Sequence, residues 1–85
     1  MYTNHAIIRM KQRGLSTECV EAVLEFGQEF FRKGGCVYLV TKKIANKMYN
    51  LGCDRHLVEK VEGTYVVVAN GFVLTVAHKT TNFKY

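Results

Sequence analysis

Apolar positions in the first part of the chain recur at helical spacing. Within residues 4–13, Ala6, Ile7 and Met10 point one way, while His5, Arg9 and Arg13 fall at i, i+4 and i+8 on another stripe. Thr3 or Asn4 supplies a cap and Gly14 a stop, so a first helix is predicted over 4–13. A second helix is predicted from Ser16 or Thr17 to about Phe26, ended by Gly27. Val20, Val23 and Leu24 give it an apolar stripe, and Glu18, Glu21 and Glu25 a wet face.

The pattern then changes to strands. Gln28–Arg32 and Cys36–Thr41 flank Lys33-Gly34-Gly35, a hairpin turn. Thr41 either caps a short third helix carrying Ile44, Met48 and Leu51 at i, i+4 and i+7, or the chain stays extended through Lys42–Ile44. Leu57–Val61 reads as a strand. Tyr65–Ala69 and Phe72–His78 meet at Asn70-Gly71, the clearest hairpin signal in the chain. Both are apolar on both faces, which predicts a central place in the sheet. Strict alternation puts Phe72, Leu74, Val76 and His78 on one face, and Val73, Thr75, Ala77 and Lys79 on the other.

These elements predict one α+β domain over residues 1–85. Two N-terminal helices pack on one face of an antiparallel sheet of four or five strands, and the other face is partly open. The expected core is Ile7, Met10, Val20, Val23, Leu24, Leu39, Val66, Val68, Leu74 and Val76. The apolar content of 48% is enough for a folded domain rather than a disordered tail. No apolar run approaches the ~20 residues of a membrane span. Arg9, Lys11 and Arg13 interrupt any export signal, so the expected compartment is the cytoplasm. Cys19, Cys36 and Cys53 are odd in number and dispersed, which predicts free thiols in a reducing environment.

Charge changes this picture more than composition does. The net charge is +5, and its signs are segregated. Arg9, Lys11 and Arg13 come without an acid. Glu18, Glu21, Glu25 and Glu29 follow without a base. Arg32, Lys33, Lys42, Lys43, Lys47 and Arg55 then face only Asp54. A basic surface of this kind suits a polyanionic partner, RNA first, though solvated charge is the plain alternative.

Three kinds of chemistry compete. A helix-turn-helix reader of DNA would use the second helix, but that helix is acidic and phosphates would repel it. Cys53 and His56 have a C-x2-H spacing that Cys36 could join, but no second half-site matches it. No metal and no cofactor are expected. The basic stripe remains. RNA cleavage without a metal needs a base for the 2′-hydroxyl, cations for the phosphoryl charge and an acid for the departing 5′-oxygen. His5 fits a proton-transfer role, Arg9 and Arg13 a phosphate clamp, and His78 the partner acid. Lys42, Lys43, Arg55 and Lys79 are the further RNA-binding candidates. On the plain reading, His5 satisfies the helix start and Arg13 pairs with Glu18 or Glu21.

The run Asn4-His5-Ala6, Arg9-Met10 and Gln12-Arg13-Gly14-Leu15-Ser16, with Val20, Leu24 and Gly27 after it, resembles a family of small bacterial proteins of unassigned function. Their N-terminal pattern is H-A-x2-R-M-x2-R-G-[IL]-S. Their last hairpin ends in a T-V-like strand similar to Gly71-Phe72-Val73-Leu74-Thr75-Val76. The likeness covers residues 4–27 closely and 64–78 loosely. That family is grouped with RelE-like toxins in the barnase–EndoU–colicin–RelE nuclease class. The resemblance implies helices on an antiparallel sheet, a RelE-like ribonuclease of a toxin–antitoxin pair, and an antitoxin protein as partner. Two other readings stand beside it: a non-catalytic RNA- or protein-binding module, and a homo-oligomer that buries the helix stripe. Catalysis requires the stripe to line a concavity with a second acid–base group nearby, whereas binding requires only a broad basic face.

Overall fold

A computed structural model of the chain describes residues 1–32 and 34–78. Four helices and four strands follow in the order α1 (Asn4–Arg13), α2 (Thr17–Phe26), β1 (Gln28–Arg32), β2 (Gly35–Leu39), α3 (Lys42–Asn50), α4 (Arg55–Val61), β3 (Thr64–Ala69) and β4 (Phe72–His78) among the described residues. Each helix opens on an oxygen-bearing cap. The Thr3, Ser16 and Thr41 hydroxyls and the Asp54 carboxylate accept from the backbone N–H of Ala6, Cys19, Ile44 and Leu57. Gly14 ends α1 at φ 65°, a left-handed value that glycine adopts without a Cβ penalty.

The sheet is antiparallel throughout, in the order β1-β2-β3-β4. α1 packs along β4, α2 lies against β2 and β3, α4 against α2, and α3 against α4. The helices therefore cover one sheet face. Tyr38, Val66 and Val76 stand in register on that face, and Val66 and Val76 are fully buried beneath Ala6, Met10, Val20 and Val23. The opposite face carries Phe30, Val37, Val67 and Thr75 in one row, and Leu39, Tyr65 and Ala77 in the next.

Four expectations change. Residues 57–61 belong to helix α4, not to a strand, because Asp54 caps the segment and Val58 and Val61 bury one turn apart. Thr41 caps α3 and lies beyond β2, which ends at Leu39. β4 is an edge strand rather than a central one. α1 buries one of its faces, Phe72 and Leu74 on the other are exposed, and Met1–Thr3 bond to part of its free edge.

The fourth change concerns β4 itself. Val67 pairs with Thr75 and Val68 with Val73, so Leu74 is the extra residue of a bulge. The bulge breaks the alternation. Val73 and Val76 are both buried, and Leu74 turns out to solvent with Phe72. Ile7 is also exposed, while Leu24 and Val68 are partly buried against the core. Asn70 and Gly71 both take positive φ, 52° and 80°, which is what a two-residue hairpin turn with matching twist requires.

Candidate nucleic-acid interface

The position of α1 follows from contacts at its two ends. At its start, the Val73 N–H donates to the Met1 carbonyl at 2.8 Å, and the Thr3 N–H donates to the Val73 carbonyl at 3.0 Å. The Thr3 hydroxyl also donates to the Leu74 carbonyl. At its finish, Lys60 Nζ donates to the Gly14 carbonyl at 2.7 Å, and the Thr64 hydroxyl donates to the Lys60 carbonyl. Thr64 is the register partner of His78. α1 thus runs alongside β4 in the same direction, from Val73 towards His78.

This fixes the four candidate catalytic residues. His5 is exposed at the Val73 end, Arg9 is half-buried midway, and Arg13 is exposed at the far end. His78 is half-buried on the helix side, at Arg13's end of the layer. Five residues of strand separate Val73 from His78, about 16 Å at ordinary strand rise. The structure therefore brings Arg13 and His78 to one end and leaves His5 at the other. Arg9 and Arg13 make no ion pair with any described residue. Glu18, Glu21 and Glu25 stand exposed on α2, which buries Cys19, Val20, Ala22 and Val23 in the core.

Of the RNA-binding candidates, Lys42 and Lys43 are exposed in the first turn of α3, which packs on α4, whereas α1 packs on β4. Arg55 opens α4 and is bound to Glu59 at 3.2 Å. That pair is open to water and worth little, but it occupies the guanidinium. Lys79 lies outside the described residues. Lys60 was missing from the candidates. Only a contact between residues 46 apart reveals it, and no local pattern in the sequence carries that signal.

The metal and thiol readings also find their places. Cys53 packs beside the core and His56 is exposed on α4. Among the described residues no three His, Cys, Asp or Glu side chains gather as a metal set. Cys19 is buried, and Cys36 and Cys53 are half-buried, all as free thiols. Burial and the nearby Glu29 push the Cys36 thiol up, away from the reactive thiolate. The Tyr38 hydroxyl donates to the same Glu29 carboxylate at 2.7 Å, which pushes the phenol up to about 12. Burial, with Glu21 nearby, also raises Tyr2.

A cavity of about 220 Å³ opens elsewhere, at the hairpin end of the sheet face opposite the helices. Val37, Val67, Ala69 and Leu74 line it, with Arg32 and Gly35 alongside. Cys36 also borders it, and among the described residues it has no histidine or carboxylate in its lining. None of the four candidate catalytic residues reaches it.

Residues 2–77 match the model of a family described as a domain of unknown function, DUF4258. No curated protein and no solved structure matches the chain.

Proposed function

This chain belongs to the DUF4258 family, and from the α1 surface we propose that it binds RNA through the phosphate backbone. One observation carries the reading. Arg9 and Arg13 share a stripe of α1, with no carboxylate paired to them among the described residues, while the acids of α2 keep to that helix's own wet face. Two guanidiniums spaced one turn apart present fixed forks to successive phosphates, and the half-buried stem of Arg9 limits what it loses on binding.

The test is binding of a single-stranded RNA across a salt series. Affinity falls as salt rises, because each phosphate contact releases a counterion. Arg9→Ala or Arg13→Ala weakens binding by roughly 1–3 kcal/mol. Glu21→Ala does not weaken it. Loss of binding through the glutamate change, with both arginine changes silent, reverses the assignment.

RelE-like cleavage of the RNA is the second reading, and one observation bears on its form. With His5 and His78 at opposite ends of α1, one imidazole at most serves a given phosphate. His78, at Arg13's end of the layer, is the better placed of the two, and the motif resemblance supports the RelE-like scaffold. Proton transfer by one positioned group contributes about 10²–10⁴-fold. His78→Gln therefore lowers cleavage of a mixed RNA by about that factor, with or without ribosomes, and His5→Gln lowers it less. Equal loss in both variants restores the two-histidine scheme. Absence of cleavage by the unaltered chain leaves RNA binding alone. The toxin role has a separate readout: the chain expressed alone arrests growth, and an antitoxin encoded beside it relieves the arrest.

A further inference from the structure

The C-terminal end of a helix is hostile to an anion, because its unpaired carbonyls carry partial negative charge. Arg13 stands at such an end. The Gly14 carbonyl there is not left open, since Lys60 Nζ sits on it at 2.7 Å. Lys60 comes from the last turn of α4 and its side chain is open to solvent. Its ammonium has three protons, of which the Gly14 bond uses one. The described residues give it no carboxylate partner, and nearby Glu59 is held by Arg55. The Lys60 carbonyl accepts from the Thr64 hydroxyl, and Thr64 pairs with His78. Arg13 precedes Gly14 in the chain, so Arg13 of α1 and Lys60 of α4 both stand at this exposed corner, and the Lys60–Thr64–His78 links lead from α4 to the half-buried end of β4.

We propose that this corner is a binding site for a phosphate ester, with Lys60 as its central cation. Lys60 does two things there. It cancels the carbonyl charge that would repel an anion beside Arg13, and it offers its two remaining N–H groups to the phosphate oxygens. Arg13 adds a planar fork. The inference rests on the RNA-binding reading for its ligand, a phosphodiester of single-stranded RNA. The corner itself is a claim about phosphate chemistry and is tested separately.

Two measurements decide it. In the first, affinity for a single-stranded RNA oligonucleotide is followed against salt for the unaltered chain, Lys60→Met and Lys60→Arg, with thermal unfolding of each. Loss of one phosphate contact lowers the slope of log affinity on log salt by about 0.7. Lys60→Met is expected to show that drop together with a roughly tenfold or greater loss of affinity. Lys60→Arg, which keeps both charge and donors, retains the slope. A drop in thermal stability in Lys60→Met with an unchanged slope reduces Lys60 to a structural tie and overturns the proposal.

The second measurement is an NMR titration of the unaltered chain with inorganic phosphate, which requires no variant to fold. Movement of the Gly14 and Lys60 amide signals upholds the corner. If phosphate moves them while the RNA oligonucleotide does not bind, the corner stands and the RNA reading falls. If RNA binds with the Lys60→Met slope unchanged and phosphate moves nothing, the RNA reading stands and the corner falls.

Discussion

At the scale of single residues, the Tyr38–Glu29 bond gives the clearest solution signature. The phenol donates to a carboxylate across the β1–β2 pair and ionises only near about 12, against 10.0 for an ordinary tyrosine. The folded chain therefore holds a proton that the unfolded chain has released. Between those values the folded state binds more protons, so stability falls as pH rises through that window, and the bond's contribution is whole below it. Phenolate absorbance against pH is expected to show a tyrosine ionising near the top of the range, and Tyr38→Phe to remove it. Gly14 makes a second residue-scale case. At φ 65°, alanine pays about 1–2 kcal/mol for the left-handed backbone. A Cβ there meets nothing nearer than Lys60 Nζ at 3.9 Å, so the cost is conformational and not steric. Thermal unfolding of Gly14→Ala measures it. Gly14 was readable as a helix stop from its place after Arg13. The Tyr38 bond was not, because register across a hairpin decides whether residues 29 and 38 meet.

At the scale of elements, helices announced themselves through caps and period. α1 and α2 end within a residue of their predicted bounds, since Thr3 and Ser16 open them and Gly14 and Gly27 close them. The misreading of α4 shows the limit of composition. Val58 and Val61 favour strands as residue types, yet their spacing is helical and Asp54 was available as a cap. The bulge in β4 left no trace in the sequence. Val73, Leu74, Thr75 and Val76 have nearly uniform apolar character, so no position marks where alternation slips. Thr3 serves two elements at once, capping α1 and donating to the Leu74 carbonyl beside the bulge. Thr3→Ala is expected to cost about 1–2 kcal/mol, at the upper end for a lost N-cap. Denaturant unfolding checks the value. A cost near zero would mean that α1 is held by its packing on β4 alone.

At the scale of the whole molecule, what the sequence reveals depends on how local each feature is. The sequence placed Arg9 and Arg13 on one stripe correctly, because helical period is local. It could not place His78 relative to His5, since that depends on how α1 lies along β4. It carried no sign of the Lys60–Gly14 contact, which joins residues far apart in the chain. Replacing both Arg9 and Arg13 with alanine is expected to lower the salt slope of RNA binding by about 1.4, twice the single contact. A slope unchanged in the double variant would place the bound RNA elsewhere. The packing of α1 against β4 has a further consequence, for synthesis. α1 leaves the ribosome before β4, which follows some sixty residues later. At about 5–20 residues per second, α1 waits several seconds for its partner. A ten-residue helix is marginal alone. Nascent chains stalled before Phe72 has emerged should therefore leave α1 open to protease, and chains long enough to expose all of β4 should protect it. The basic stripe is then assembled only after nearly the whole domain has been translated.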